Sequence, residues 1–114
     1  MYSNNVDSIE TILGFIDRFT ANGKRKEVID TFSNGCCYWF ANILYNRFML
    51  DSRCAIMYDQ VANHFGCLIN NVVYDITGMV THDYSWEPWR DIHEKDPLLF
   101  ERIVRDCIDM KEAD

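Results

Sequence analysis

Two adjacent asparagines constrain this chain more than any other feature. Asn70-Asn71 stands between two apolar runs, 61–69 and 72–77, and Asn tolerates the positive φ that a two-residue hairpin loop requires. A loop there sets the register: Ile69 faces Val72, Gly66 faces Asp75 and His64 faces Thr77. Side chains two apart share a strand face, so His64, Gly66, Val73, Asp75 and Thr77 are expected on one side. His64 and Asp75 become diagonal neighbours with backbones roughly 7–8 Å apart. Gly66, opposite Asp75, is expected to leave the space beside them open. Residues 54–59 read as a strand preceding the hairpin, and Gly78 as the end of the third strand.

Helical periodicity accounts for most of the rest. Ile9, Ile12, Leu13, Ile16 and Phe19 recur at helical spacing, with Asp7 or Ser8 as the cap. Glu10 would complete a capping box with Asp7, and Gly23 supplies a left-handed exit. Val28, Ile29 and Phe32 suggest a short helix or turn. From 36 to 49, Cys37, Phe40, Ala41, Leu44, Tyr45 and Phe48 share one face. Trp39, Ile43 and Leu50 widen that surface, marking a central helix buried on more than one side. A loop with Trp86, Pro88 and Trp89 follows the strands, and Asp96-Pro97 then opens a last helix in the favoured cap-then-proline order. Its stripe is Leu99, Phe100, Ile103, Val104, Cys107 and Ile108. Helices, an antiparallel sheet and a closing helix predict an α+β fold, with a single domain over 1–114.

Charge narrows the partners. Eleven Lys+Arg against eighteen Asp+Glu leave a net charge of −7 and a pI near 4.8. Such a surface repels phosphate backbones and anionic lipid, so neither nucleic acid nor a membrane is expected as a partner. The basic run Lys24-Arg25-Lys26 is too short to reverse this. No apolar run approaches the ~18–20 residues that span a bilayer. Five cysteines, an odd count without any Cys-x-x-Cys, and no leader-like start point to free thiols in a reducing cytoplasm. Adjacent Cys36-Cys37 does not fit metal-ligand loops, and His64 and Cys67 point to opposite strand faces. No metal or other cofactor is expected.

One cysteine has chemical company. Cys37 falls where the central helix begins, and unpaired amides and the positive dipole end there favour a thiolate. A carboxylate such as Asp75, bonded to one nitrogen of His64, would orient the ring and support its imidazolium. A thiolate–imidazolium pair is the activated nucleophile of acyl transfer, and first-turn amides could donate to an oxyanion. Cys36 is the rival nucleophile, and Asp75 has the alternative task of capping the turn toward Gly78. Cys54, Cys67 and Cys107 read as core, while His82 and His93 have no comparable partner. Trp86 and Trp89 either cover a core edge or line a substrate cleft.

The segments Asn34-Gly35-Cys36-Cys37-Tyr38-Trp39-Phe40-Ala41, Asn63-His64-Phe65 and Tyr74-Asp75-Ile76-Thr77-Gly78 together resemble the Cys–His–Asp order of the papain-like cysteine hydrolase superfamily. The small NlpC/P60-like peptidases and the transglutaminase-like core are the most similar members. The resemblance covers roughly 34 to 78, and implies Cys37 as nucleophile, His64 as base and Asp75 as orienter. The sole glutamine, Gln60, lies downstream of the cysteine, so the oxyanion-hole Gln of papain has no counterpart and Asn34 is the candidate substitute. The expected function is a small intracellular cysteine hydrolase or related acyltransferase acting on an amide, isopeptide or thioester bond, with a peptidase or amidase preferred because the sequence shows no acyl-donor cofactor motif. The alternative is an inactive papain-like binding protein, or a phage or mobile-element inhibitor, that meets a protein partner through its acidic surface. A plainer option is an interaction module with a fortuitous Cys–His–Asp order.

Overall fold

The computed structural model describes residues 7–21, 26–29 and 37–104. The architecture is α+β: four labelled helices, α1 (Ile9–Ala21), α2 (Cys37–Phe48), α3 (Trp89–Lys95) and α4 (Pro97–Ile103), accompany a five-stranded antiparallel sheet. Its strands are β1 (Cys54–Asp59), β2 (His64–Ile69), β3 (Val72–Asp75), β4 (Gly78–Met79) and β5 (Glu87–Pro88), in the order β4-β3-β2-β1-β5. Residues 26–29 are helical. Among the described residues no helix is long and apolar enough to cross a membrane.

The hairpin turns at Asn70 and Asn71, whose φ of 51° and 75° are the left-handed values a tight two-residue loop needs. Ile69 pairs with Val72, as the loop position requires. Both outer ends of the hairpin are shorter than the residue pattern implies. The Asp59 carboxylate accepts from the amides of Val61 (2.8 Å) and Ala62 (3.3 Å), and Asn63 takes a φ of 53°. The chain therefore turns over 60–63 and β2 starts at His64 instead of residue 61. At the other end Asp75 Oδ1 accepts from both the amide and the hydroxyl of Thr77. This turn reverses the chain, so Thr77 does not lie opposite His64, and Gly78 opens β4 at a φ of 118°.

Helix α1 starts under Ser8, whose hydroxyl accepts from the Thr11 amide at 3.1 Å. The Asp7–Glu10 box does not form, because Asp7 is tied to Ser52, its Oδ2 accepting from that hydroxyl at 2.7 Å. Asp96 caps α4 by accepting from the Leu99 amide, with Pro97 in the first turn. Helix α3 and strand β5 occupy what the sequence presents as loop. The seven residues of α3 are too few for a clear period, yet they seat Ile92 fully in the core.

All four helices contribute to one core on one face of the sheet. Phe40, Leu44 and Phe48 of α2 and Ile12 and Ile16 of α1 meet Phe65, Cys67, Ile69 and Tyr74 there. Each such side chain contributes roughly 1.5–3 kcal/mol on leaving water. Leu50 does not extend this surface; it lies in the turn after α2 and is 88% exposed. A second, smaller cluster of Met57, Val73 and Val80, edged by Tyr84 and Trp86, covers the opposite face. The alternation of the strands produces this division, since Phe65 and Cys67 point one way and His64 and Gly66 the other.

Candidate functional site

The β2–β3 ladder runs from Ile69↔Val72 to Cys67↔Tyr74 and then stops. Beyond it, the side chains of His64 and Asp75 take over the connection: His64 Nε2 and Asp75 Oδ2 lie 2.8 Å apart. Both residues are buried, at 7% and 5% exposure. The two Asp75 oxygens divide the roles the sequence left open. Oδ1 holds the turn through Thr77, while Oδ2 holds the imidazole.

Cys37 arrives from the first turn of α2, is 8% exposed, and lies near enough to the same imidazole to act on its protonation. The fold therefore brings Cys37, His64 and Asp75 together. Burial works against a charge on His64, but the hydrogen bonds to Asp75 and Cys37 and the charges of both outweigh it. The pKa is raised to about 9. For Asp75, burial likewise opposes ionisation and is overcome by the hydrogen bonds from His64 and Thr77, so its carboxyl stays below the ordinary range. Such a triad can move a proton from thiol to ring and hold the imidazolium that results.

Two aromatic rings close over the imidazole. Tyr84 stands 4.8 Å from it, tilted by 34°, and Trp86 stands at 5.9 Å. Trp86 thus belongs to the site. Tyr84 also belongs to it and gives no signal in the sequence, since a lone Tyr in an irregular loop carries no periodicity. The space at Gly66 is not open: a Cβ there would lie 2.8 Å from Val73 Cγ1 and 3.1 Å from Trp86 Cη2. Glycine is needed for the close seat of that indole. Trp89 goes elsewhere, stacking on Phe100 at 4.6 Å and meeting Phe65 edge-on in the helix-side core. Its place at the start of α3 turns it inward, away from a cleft.

Asp59 is a second residue missed from sequence. It pairs across the ladder with His64, and its Oδ2 accepts from the Ser85 amide at 3.1 Å. The acid at the end of β1 thereby fastens the Tyr84–Trp86 loop. Cys67 is fully buried, and its hydrogen bond to half-buried Cys54 lowers the Cys54 pKa, more than offsetting burial and the Asp7 charge. His82 is exposed. Asn34, Cys36 and Cys107 lie outside the described residues. A groove of ≈660 Å³ between Arg53, Ala55, Leu68 and Asn71 lies at the opposite end of β1 and β2, away from His64 and Asp75.

A small α+β domain-sized chain with a buried Cys–His–Asp cluster is the class these observations define. A family model described as Phage YunG-like protein matches residues 15–110, and the chain belongs to that family. Comparison with curated proteins and with solved structures found no match.

Proposed function

We propose that this chain is a small cysteine hydrolase of the peptidase or amidase type, built in the manner of the papain-like superfamily. The observation that carries the reading is the buried imidazole of His64, bonded to Asp75 at 2.8 Å with Cys37 beside it. Cys37 sulfur attacks the acyl carbon of an amide, isopeptide or thioester, and the thiol proton passes to His64. His64 returns it to the leaving amine or thiol, so the acyl group is left as a thioester on Cys37. Water, deprotonated by the same ring, then releases the acid and restores the thiol. Asp75 keeps the ring in one tautomer and supports its positive form. A reducing cytoplasm suits the free thiol this scheme requires.

The test is labelling by iodoacetamide at neutral pH, followed by peptide mapping. Cys54 is the internal competitor, because its hydrogen bond to Cys67 also favours its thiolate. Fast labelling should map to Cys37, survive Cys36→Ala and Cys54→Ser, and vanish in Cys37→Ala. Equal, slow labelling of all these folded variants would overturn the hydrolase reading. A second reading, an inactive binding protein working through its acidic surface, is favoured by the burial of the cluster at 8%, 7% and 5% exposure. It expects the slow result, together with partner binding indifferent to His64→Ala.

A further inference from the structure

The loop after β4 is fastened with more bonds than a simple connection needs. The Val80 amide donates to Val73 O at 2.8 Å, and the Val73 amide to Thr81 Oγ1 at 3.0 Å. Trp86 Nε1 donates to Val80 O at 3.0 Å, and the Ser85 amide to Asp59 Oδ2 at 3.1 Å. These bonds anchor the loop to β3 on one side and to β1 on the other. What they hold in place is a pair of rings, Tyr84 and Trp86, 4.9 Å apart and both against His64. An imidazolium within about 6 Å of an aromatic centroid is attracted by the ring's quadrupole, and both rings meet that distance. They also keep water from the His64–Asp75 bond, which strengthens it.

We propose that Tyr84 and Trp86 are positioning residues that clamp the His64 ring between its carboxylate and thiol partners and favour its protonated form. As a statement about catalysis, the clamp rests on the Cys37–His64 reading above; as a statement about His64 it stands alone. The groups facing this imidazole are Asp75 from β3, Cys37 from α2, Asp59 across the ladder from β1, and the two rings from the loop. The Tyr84 hydroxyl has its own pKa raised first by burial and then by the charges of Asp75, Asp83, Asp59 and Cys37. The Tyr84 hydroxyl is not asked to do anything; only its ring is.

Histidine ring resonances of the full chain, followed by NMR from pH 5 to 10.5, test the clamp. His82 and His93 are assigned separately and serve as references. Tyr84→Phe keeps the ring and should leave the His64 midpoint within about 0.2 of the parent, whereas Tyr84→Leu, which keeps bulk without a π face, should lower it by about 0.5–1. An unchanged or higher midpoint in Tyr84→Leu, or an equal fall in Tyr84→Phe, overturns the proposal. Should Tyr84→Leu fail to fold, the parent decides: Tyr84 ring carbons must titrate with the His64 midpoint, and independence of the two overturns it. Iodoacetamide labelling of Cys37 separates the two ideas. A lowered midpoint without fast labelling keeps the clamp and removes the hydrolase; fast labelling with an unmoved midpoint does the reverse.

Discussion

Replacing Asp75 by Asn removes one charge and leaves nearly everything else. The amide oxygen can still accept from the Thr77 amide and hydroxyl, at 2.8 and 2.6 Å in the parent. What disappears is the anionic oxygen 2.8 Å from His64 Nε2. A hydrogen bond between charged partners is worth roughly 1.5–3 kcal/mol, and the near-complete burial of both groups keeps water from replacing it. The signs follow from the two pKa directions. His64 goes from 6.5 up to about 9, so its contribution is complete below 6.5 and is lost as the pH rises through 9. Asp75 is lowered from 3.8, so its contribution is present above that value and is lost as the pH falls through the lower, folded one. The pair is therefore at full strength between about pH 4 and 6.5. Allowing for residual solvent screening, Asp75→Asn should cost about 2 kcal/mol at pH 6 and about 1 kcal/mol or less at pH 10. Urea unfolding of parent and variant at both pH values measures this, with a midpoint shift of about 1 M expected at pH 6. Taking the difference between the two chains cancels groups that titrate in both. An equal loss at the two pH values, or a gap that widens toward pH 10, would refute the assignment of a charged pair.

Two further changes probe the packing around the site. Gly66→Ala would place a methyl 2.8 Å from Val73 Cγ1 and 3.2 Å from the Tyr74 carbonyl oxygen, which cannot yield without moving β3. A loss of about 1–3 kcal/mol is expected, seen as a lower Tm and altered Trp86 fluorescence; an unchanged melt would show the strands to be less tightly apposed. Tyr74 is fully buried and its hydroxyl has no hydrogen-bond partner among the described residues. Tyr74→Phe should leave stability unchanged or raise it by up to about 1 kcal/mol in urea titration, whereas a loss greater than ~1 kcal/mol would reveal a partner for that oxygen.

Most of the fold was legible because its signals are local. Asn70-Asn71 states a left-handed turn in two residues, Asp96-Pro97 states a helix start, and the stripe of Phe40, Leu44 and Phe48 states a buried helix face. The His64–Asp75 contact was legible for the same reason, since a turn at 70–71 and strand alternation are enough to make the two residues neighbours. Legibility failed where a side chain's hydrogen bonds override the local pattern, whether the partner is distant along the chain or only two residues on. Asp7 looks like half of a capping box until Ser52 claims it, and Asp59 and Asp75 each end a strand by accepting from amides just downstream.

Residue order alone determined helices α1, α2 and α4, the hairpin and the acid beside the histidine, because each depends on spacings within one element or across one short turn. Only the tertiary structure decided that Cys37 comes beside that ring, that Tyr84 and Trp86 cover it, and that Trp89 does not. Those contacts join α2, β2 and a loop that are distant along the chain. They depend on how the helix layer and the opposite-face loop are seated on the sheet, and that seating is set by the shape of the two cores together rather than by any one spacing.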